Sequence, residues 1–228
     1  LINQDLYFPF SRQPGSLLSI LSLLAGPYLK ICLLYIYYII HLEKMENELD
    51  IETELNKMEN ELNIETELKK MDEIFIKYLP KNTYYDHEKP CNVFDWLTLG
   101  NLLDALKLET DAVVSVLNNT DHFIQEFSTK TWLPIKAFDD KDQDISQYFN
   151  KVFEFLDNLE KENKKCIIHC QAGVNRSATI VLAYYIHKTN VDLFNAYEYL
   201  SSMRPGIIYN IGFRKQLITW YKSLNQSL

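Results

Sequence analysis

Glycine and cysteine are both scarce in this 228-residue chain, with six of one and four of the other. The four cysteines, Cys32, Cys91, Cys166 and Cys170, are too few and too irregularly spaced for a disulfide scaffold. No CxxC pair with partner ligands points to zinc. A reducing compartment fits that usage best. So few glycines exclude a collagen-like chain and make the place of each one informative. Positive charge is also in deficit, with 23 Lys and Arg against 31 Asp and Glu. A basic face for nucleic acid is therefore not expected. At 47% apolar and 24% charged, the chain is composed like an ordinary folded protein. Its length allows one domain with a real core plus an extension.

The charge is unevenly placed. Residues 45–72 hold three lysines against ten acidic residues and carry most of the net charge of -8. That stretch is an internal repeat: MENELDIETELNK, then MENELNIETELKK, then Met71 opening a third copy. A period of 13 is neither 7 nor 11, so an extended coiled-coil seam is not expected. Ile51, Leu55, Met58 and Leu62 fall 4, 3 and 4 apart, in a composition that favours helix. Residues 45–79 are thus expected to be a solvated acidic helix or linker, with a partner-binding helix as the alternative.

Upstream lies an apolar tract from Leu17 to Ile40, broken by Gly26-Pro27 and Lys30. At about 20 residues it is long enough to span a membrane. Its flanks are the wrong way round, with Arg12 before it and acidic residues after it. Met45 is the first methionine, so residues 1–44 are expected either to be read-through upstream of the true start or to be a membrane anchor.

From about residue 80 the pattern changes. AVVSVL (112–117), TWLPIKAF (131–138) and CIIH (166–169) read as short buried strands. SQYFNKVFEFLDNLEKE (146–162), SATIVLAYYIHK (177–188), VDLFNAYEYLSSM (191–203) and FRKQLITWYKSL (213–224) have helical spacing. Strands alternating with helices imply an α/β fold with a mainly parallel central sheet flanked by helices. In such sheets chemistry gathers at the carboxyl ends of strands, in loops that open helices.

One such loop stands out. CIIH leads into Cys170-Gln171-Ala172-Gly173-Val174-Asn175-Arg176-Ser177, and an apolar helix follows at once. A cysteine between a strand end and a helix start meets the positive end of the helix dipole, which favours the thiolate. The backbone N–H groups of Gln171 to Arg176 can curl into a nest around a dianionic oxyanion, with Gly173 where the backbone must come closest. Arg176 can return across the loop and grip two oxygens with its planar fork. The chemistry reads as thiolate attack on phosphorus with a phosphocysteine intermediate. Cys166, inside the strand, is expected to be a buried core residue.

At this point the chain resembles the dual-specificity protein phosphatases of the cysteine-based tyrosine phosphatase superfamily, over about residues 90–226. HCQAGVNRSATIVLAYYI is similar to the signature loop and helix. DISQYFNKVFEFLD (144–157) is similar to the helix before the signature strand. MRPGIIYNIGFRKQL (203–217) resembles the carboxyl-terminal Arg-Pro…Asn-x-x-Phe-x-x-Gln-Leu pattern, and WLTLGNLLDA (96–105) the opening strand and Leu-Gly-Asn turn. Tyr209 stands where the family usually has proline.

The resemblance implies a catalytic domain over residues 80–228 that cleaves phosphotyrosine and phosphoserine or phosphothreonine in proteins. It implies Cys170 as nucleophile, and Gln171, Ala172, Gly173, Val174, Asn175 and Arg176 as the substrate-binding loop. It further implies an aspartate about thirty residues before the cysteine as general acid. FDDKDQDIS offers Asp139, Asp140, Asp142 and Asp144. Aligning Asp144-Ile145-Ser146 with the family's helix start puts Asp139 at the acid position. Asp144 suits a helix N-cap, and Asp140 and Asp142 suit solvated loop charges. His169 is expected to be held inward and to tune the thiolate, and Ser177 to assist breakdown of the thiophosphate or to cap the helix. His41, His87, His122 and His187 have no motif partner.

No metal or organic cofactor is implied. The expected partner is a phosphorylated protein, a protein kinase among the candidates, in the cytoplasm or nucleus, with membrane attachment only if residues 17–40 are an anchor. Two other readings share the loop: a phosphoinositide or RNA 5′-phosphatase, and a pseudophosphatase that binds phosphoproteins without turnover. The uncharged loop residues and the nearly neutral domain disfavour the first. Retention of Cys170, Arg176 and Asp139 disfavours the second.

Overall fold

The computed structural model describes residues 51–79 and 89–225. The tract 17–40, the boundary expected at 44/45, Cys32, His41 and His87 lie outside those residues. The chain divides into two compact units, residues 1–63 and 64–228. In the first, residues 51–63 are helical, with Leu55, Met58 and Leu62 half-buried. They belong to α1 (Ile51–Tyr78). Among the described residues no helix is long and apolar enough to cross a membrane.

The second unit continues with β1 (Cys91–Phe94), β2 (Leu97–Gly100), α2 (Leu102–Lys107), β3 (Ala112–Leu117) and β4 (Thr131–Lys136). Then come α3 (Phe149–Lys161), β5 (Cys166–His169), α4 (Arg176–Thr189), α5 (Leu193–Met203) and α6 (Ile211–Asn225). Single 3-10 turns lie at Asp121–Phe123 and Ser146–Tyr148. The strands form one sheet in the order β1-β2-β5-β3-β4, in which only the β1–β2 pair is antiparallel. This is the α/β architecture with a mainly parallel sheet and flanking helices that the sequence pattern led us to expect.

β3 and β5 are buried at every position. Their apolar runs, without polar alternation, suit interior parallel strands covered on both faces. Successive residues point to opposite faces. Val113 and Ile167 pack with Ala105 and Phe127 on one side, and Val114, Val116 and Ile168 join the main core on the other. α4 runs through that main core, with every residue from Arg176 to Tyr184 buried, as a helix enclosed on all sides should be. α3 turns Phe149, Val152, Phe153, Leu156 and Leu159 inward, at the spacing read from the sequence.

Residues 64–78, on the amino-terminal side of the boundary expected at 79/80, lie in the same unit as the sheet. Ile64, Leu68, Met71 and Phe75 repeat the 4-3-4 spacing, and Leu68 and Met71 are buried in the main core with the other two packed against it. Polar contacts fix the same stretch. Asp72 pairs with Arg214 of α6, whose guanidinium lies 4.6 Å from the Phe75 ring centre. Lys77 and Tyr78 both donate to Glu198 of α5.

Candidate active site

β5 is the middle strand of the sheet, so its carboxyl end opens between two parallel neighbours. His169 stands level with Gly100 of β2 and Ser115 of β3. Cys170 follows, 1% exposed, and the chain loops directly into α4.

The loop is shaped by what its carbonyls do. That of Gln171 accepts from Leu102 N at 3.3 Å, and that of Val174 from Ile208 N at 2.7 Å. Arg204, buried in the segment after α5, donates to the Ala172 carbonyl through Nη2 at 3.1 Å and to the Gly173 carbonyl through Nε at 2.8 Å. The Asn175 carbonyl accepts from Thr179. With five successive carbonyls engaged by surrounding groups, the N–H groups are free to face the loop's interior. Gly173 has φ +68°, and a Cβ there would sit 2.4 Å from the Gly100 carbonyl oxygen, so only glycine fits. Its N–H donates to Cys170 Sγ at 3.2 Å, and Ser177 Oγ donates to the same sulfur at 3.2 Å. Asn175, the N-cap residue of α4, makes no side-chain cap. The first turn of α4 thus keeps its positive end open toward the sulfur.

Arg176 is buried and its guanidinium is pinned. Nη1 donates to Asn118 Oδ1 at 2.8 Å and to the Ala137 carbonyl at 3.2 Å. Its Nε is buried with no hydrogen-bond partner and lies 3.8 Å from Asp139 Oδ2. A buried charged donor left unsatisfied is costly, and an oxyanion beside it would remove that cost. Asp139 accepts from Asn175 Nδ2 at 3.2 Å on both oxygens and from Asn210 Nδ2 at 3.1 Å. Asn118, Phe138, Asp139, Asp140, Gln143 and Arg176 wall an open cleft of about 440 Å³. Phe138 is 52% exposed on its rim.

His169 is fully buried behind the sulfur-bearing residue. A carbonyl oxygen only accepts, so Nδ1, 3.3 Å from the Cys170 carbonyl, carries the proton. Nε2 is then the acceptor, and Ser115 Oγ donates to it at 2.7 Å while accepting from Trp132 Nε1 at 2.9 Å. Burial pushes this imidazole down to about 4; the Cys170 carbonyl pulls it upward, and the Arg176 charge adds to the drop. The ring is neutral at physiological pH and holds the strand end in place.

The structure brings Cys170, Gly173, Asn175, Arg176, Ser177, His169 and Asp139 into one site. Asp144 accepts from Gln147 N and from Ser146 Oγ at the first turn before α3. Asp140 Oδ1 accepts from Asp142 N, and both residues are exposed, Asp140 on the wall of the cleft. Cys166 is fully buried, which pushes its thiol well up from the ordinary range. Sequence reasoning gave no role to Asn118, Arg204 or Asn210. Asn118 had a signal, since it is the first residue beyond a buried parallel strand. Arg204 and Asn210 stood inside a recognised motif with no stated work. Ile208 has φ +54°, strained for a β-branched residue. It is held there by its own N–H on the Val174 carbonyl and by Arg214 Nε on its carbonyl.

The family model for the dual specificity phosphatase catalytic domain matches residues 100–223, more than half of the chain. Dual specificity protein phosphatase 1 of Homo sapiens is 34% identical over 142 residues, which cover 59% of this chain and 38% of that protein. Protein phosphatase Slingshot homolog 1 of Mus musculus is 30% identical over 146 residues, covering 61% of this chain and 14% of that one. The chain therefore spans well under half the length of the curated relatives it matches. Among solved structures, DUSP15 is similar with a TM-score of 0.56 and 27% identity, over 60% of this chain and 90% of that one. OH1 from the Orf virus, described as a tyrosine phosphatase of triple substrate specificity, shares the fold with a TM-score of 0.53 and 23% identity, over 58% of this chain and 86% of that one.

Proposed function

The chain belongs to the dual specificity phosphatase catalytic-domain family, and from that premise we propose that it hydrolyses phosphotyrosine and phosphoserine or phosphothreonine in proteins through a phosphocysteine intermediate. The observation that carries this reading is the pairing of Cys170 Sγ, which accepts from Gly173 N and Ser177 Oγ, with the buried Nε of Arg176, which has no hydrogen-bond partner.

In the first step the Cys170 thiolate attacks phosphorus. The S–P bond forms as the P–O bond to the substrate side chain breaks. The loop N–H groups and Arg176 hold the phosphoryl oxygens and neutralise the charge that spreads over them. Asp139 donates its proton to the leaving oxygen, which a serine or tyrosine oxygen needs in order to depart. In the second step water attacks phosphorus, Asp139 takes a proton from it, and the S–P bond breaks. The Ser177 hydroxyl hydrogen-bonds the departing sulfur and eases its return to thiolate.

The test is a phosphopeptide panel with phosphotyrosine, phosphothreonine and phosphoserine, run beside a phosphoinositide and an RNA 5′-phosphate. Wild-type protein should release phosphate from the peptides and leave the other two nearly untouched. Cys170→Ser should lose all but about one thousandth of that turnover and still bind the peptides, because the loop and Arg176 remain. Peptide binding without wild-type turnover would make the protein a pseudophosphatase. Preference for the lipid or the RNA end would reassign the substrate class.

A further inference from the structure

We propose that the start of α6 is a latch that fixes the proton-donor loop, residues 138–146, against the phosphate loop, and that Asn210, Gly212 and Gln216 are its positioning residues. The inference rests on reading Asp139 as the general acid. The three residues engage the loop at its beginning, middle and end.

Asn210 holds the beginning. Its Oδ1 accepts from Gly212 N at 3.0 Å and Phe213 N at 3.4 Å, capping α6 and so fixing the amide's orientation. That orientation turns Nδ2 to Asp139 Oδ1 at 3.1 Å. Asn210 N also donates to Asn175 Oδ1 at 3.2 Å, which in turn obliges Asn175 Nδ2 to face Asp139. Both amides are thus assigned by backbone donors, and both present their NH₂ groups to one carboxyl group.

Gly212 holds the middle. A Cβ on it would lie 1.9 Å from the Lys141 carbonyl oxygen, 2.6 Å from its carbonyl carbon and 2.7 Å from its Cα. Helix and loop therefore touch main chain to main chain, and no side chain fits between them. Gln216 holds the end, just over a turn along. Its Oε1 accepts from Ile145 N at 2.7 Å and Ser146 N at 3.2 Å, and its Nε2 donates to the Gln143 carbonyl at 2.8 Å. Gln143 in turn accepts from Phe138 N at 3.0 Å, which closes the loop on itself next to Asp139. The helix is anchored behind these contacts by buried Phe213 and Leu217.

A proton is passed over hydrogen-bond distance, and a carboxyl group on an exposed loop is only as useful as its placement is exact in space. Misplacement by about 1 Å can cost roughly 10²-fold in rate. The competing explanation is that these residues merely cap and pack a helix. The two differ in substrate dependence, because losing a general acid hurts poor leaving groups and spares good ones.

The experiment measures kcat/KM of the full chain on a phosphotyrosine peptide and on nitrophenyl phosphate. The variants are Asn210→Ser, Gly212→Ala and Gln216→Ala, each alone and combined with Asp139→Asn. Asn210→Ser keeps a capping oxygen but loses the reach to Asp139, so it remains informative if Gly212→Ala fails to fold. The single variants should lose about 10- to 100-fold on the peptide and less than about threefold on nitrophenyl phosphate. On the Asp139→Asn background they should lose nothing further, since the group they position is gone. Equal losses on both substrates, losses that add on that background, or unchanged rates in Asn210→Ser and Gln216→Ala would each overturn the latch. If Asp139→Asn itself shows no leaving-group dependence, the acid assignment fails and the latch falls with it.

Discussion

The loop that carries Cys170 and the loop that carries Asp139 meet at Arg176, yet they are held by different means. The first is fixed through its own main chain. Its carbonyls are engaged by Leu102, Arg204, Ile208 and Thr179, its glycine lies against the end of β2, and it is largely buried. The second is exposed over most of its length and is fixed by the side chains of Asn175, Asn210 and Gln216 together with one backbone contact at Gly212. In the proposed reaction the first loop holds a tetrahedral dianion, which needs several donors at fixed distances at once, and a rigid main chain supplies them. The proposed proton donor must sit at one point only, and a few side-chain bonds suffice for that. Damage to the first loop should therefore slow every substrate alike. Damage to the second should slow them according to their leaving groups.

The largest effect should come from Arg176→Lys. An ammonium keeps the charge and can take up the Nη1 bonds to Asn118 Oδ1 and the Ala137 carbonyl, but its single nitrogen cannot also stand at the Nε position, so the planar fork offered to the phosphoryl group is lost. We expect kcat to fall by about 10³ or more, equally for a phosphopeptide and for nitrophenyl phosphate. Near-wild-type turnover in this variant would remove the arginine from the proposed chemistry. Arg204→Lys tests the same loop from behind. One ammonium cannot serve the Ala172, Gly173 and Lys89 carbonyls together. A loss of about 10² in kcat/KM is expected, again independent of the leaving group, together with weaker inhibition by orthovanadate. A leaving-group-dependent loss here would erase the distinction between the two loops.

How legible each loop was in the sequence follows from the same contrast. The Cys170 loop is built by eight consecutive residues, so strand, cysteine, glycine, arginine and helix could be read in one line. The Asp139 loop is built by pairs 36, 71 and 73 residues apart. Alignment could nominate Asp139, but nothing local to it names Asn210 or Gln216. Two short elements, CNVF of β1 and LLDALK of α2, were too brief for any periodicity to show. The repeat marks another limit. Leu55 and Met58 occupy the same repeat positions as Leu68 and Met71, yet the first pair is half-buried and the second buried in the core. Identical residues in near-identical local contexts differ in what packs against them, and sequence patterning is blind to that.

His169 gives an intermediate effect and a test of how the strand that leads into Cys170 is held. Unfolded, its imidazole titrates near the ordinary 6.5; folded, burial lowers it to about 4. Between those values the unfolded chain binds a proton that the folded protein refuses. The stability at stake is intact above about pH 6.5 and is lost as pH falls toward 4, about 3 kcal/mol in all. Urea unfolding from pH 7.5 to 4 should show this decline, and His169→Gln should show a shallower one. Parallel profiles in the two proteins would mean that other groups set the acid limb.

The smallest effect is expected where α6 is gripped by the end of the acidic repeat, through Asp72 and Arg214. In Asp72→Asn the buried Arg214 loses its charge partner. It keeps its Nε bond to the Ile208 carbonyl and its contact with the Phe75 ring. Asp72 is 52% exposed, so water screens the pair and part of the loss is recovered by solvation. Stability to urea should fall by about 1 kcal/mol or less, and the ratio of peptide to nitrophenyl phosphate rates should stay at its wild-type value. That invariance is the sharp part of the prediction. Arg214 leaves α6 within one turn of Gly212 and Gln216, so a helix that moved as a whole would carry the acid loop with it. If Asp72→Asn depresses peptide turnover selectively, the repeat acts on the Asp139 loop through α6. If only stability moves, α6 anchors the repeat through Arg214 and the acid loop through Asn210, Gly212 and Gln216 as two independent contacts.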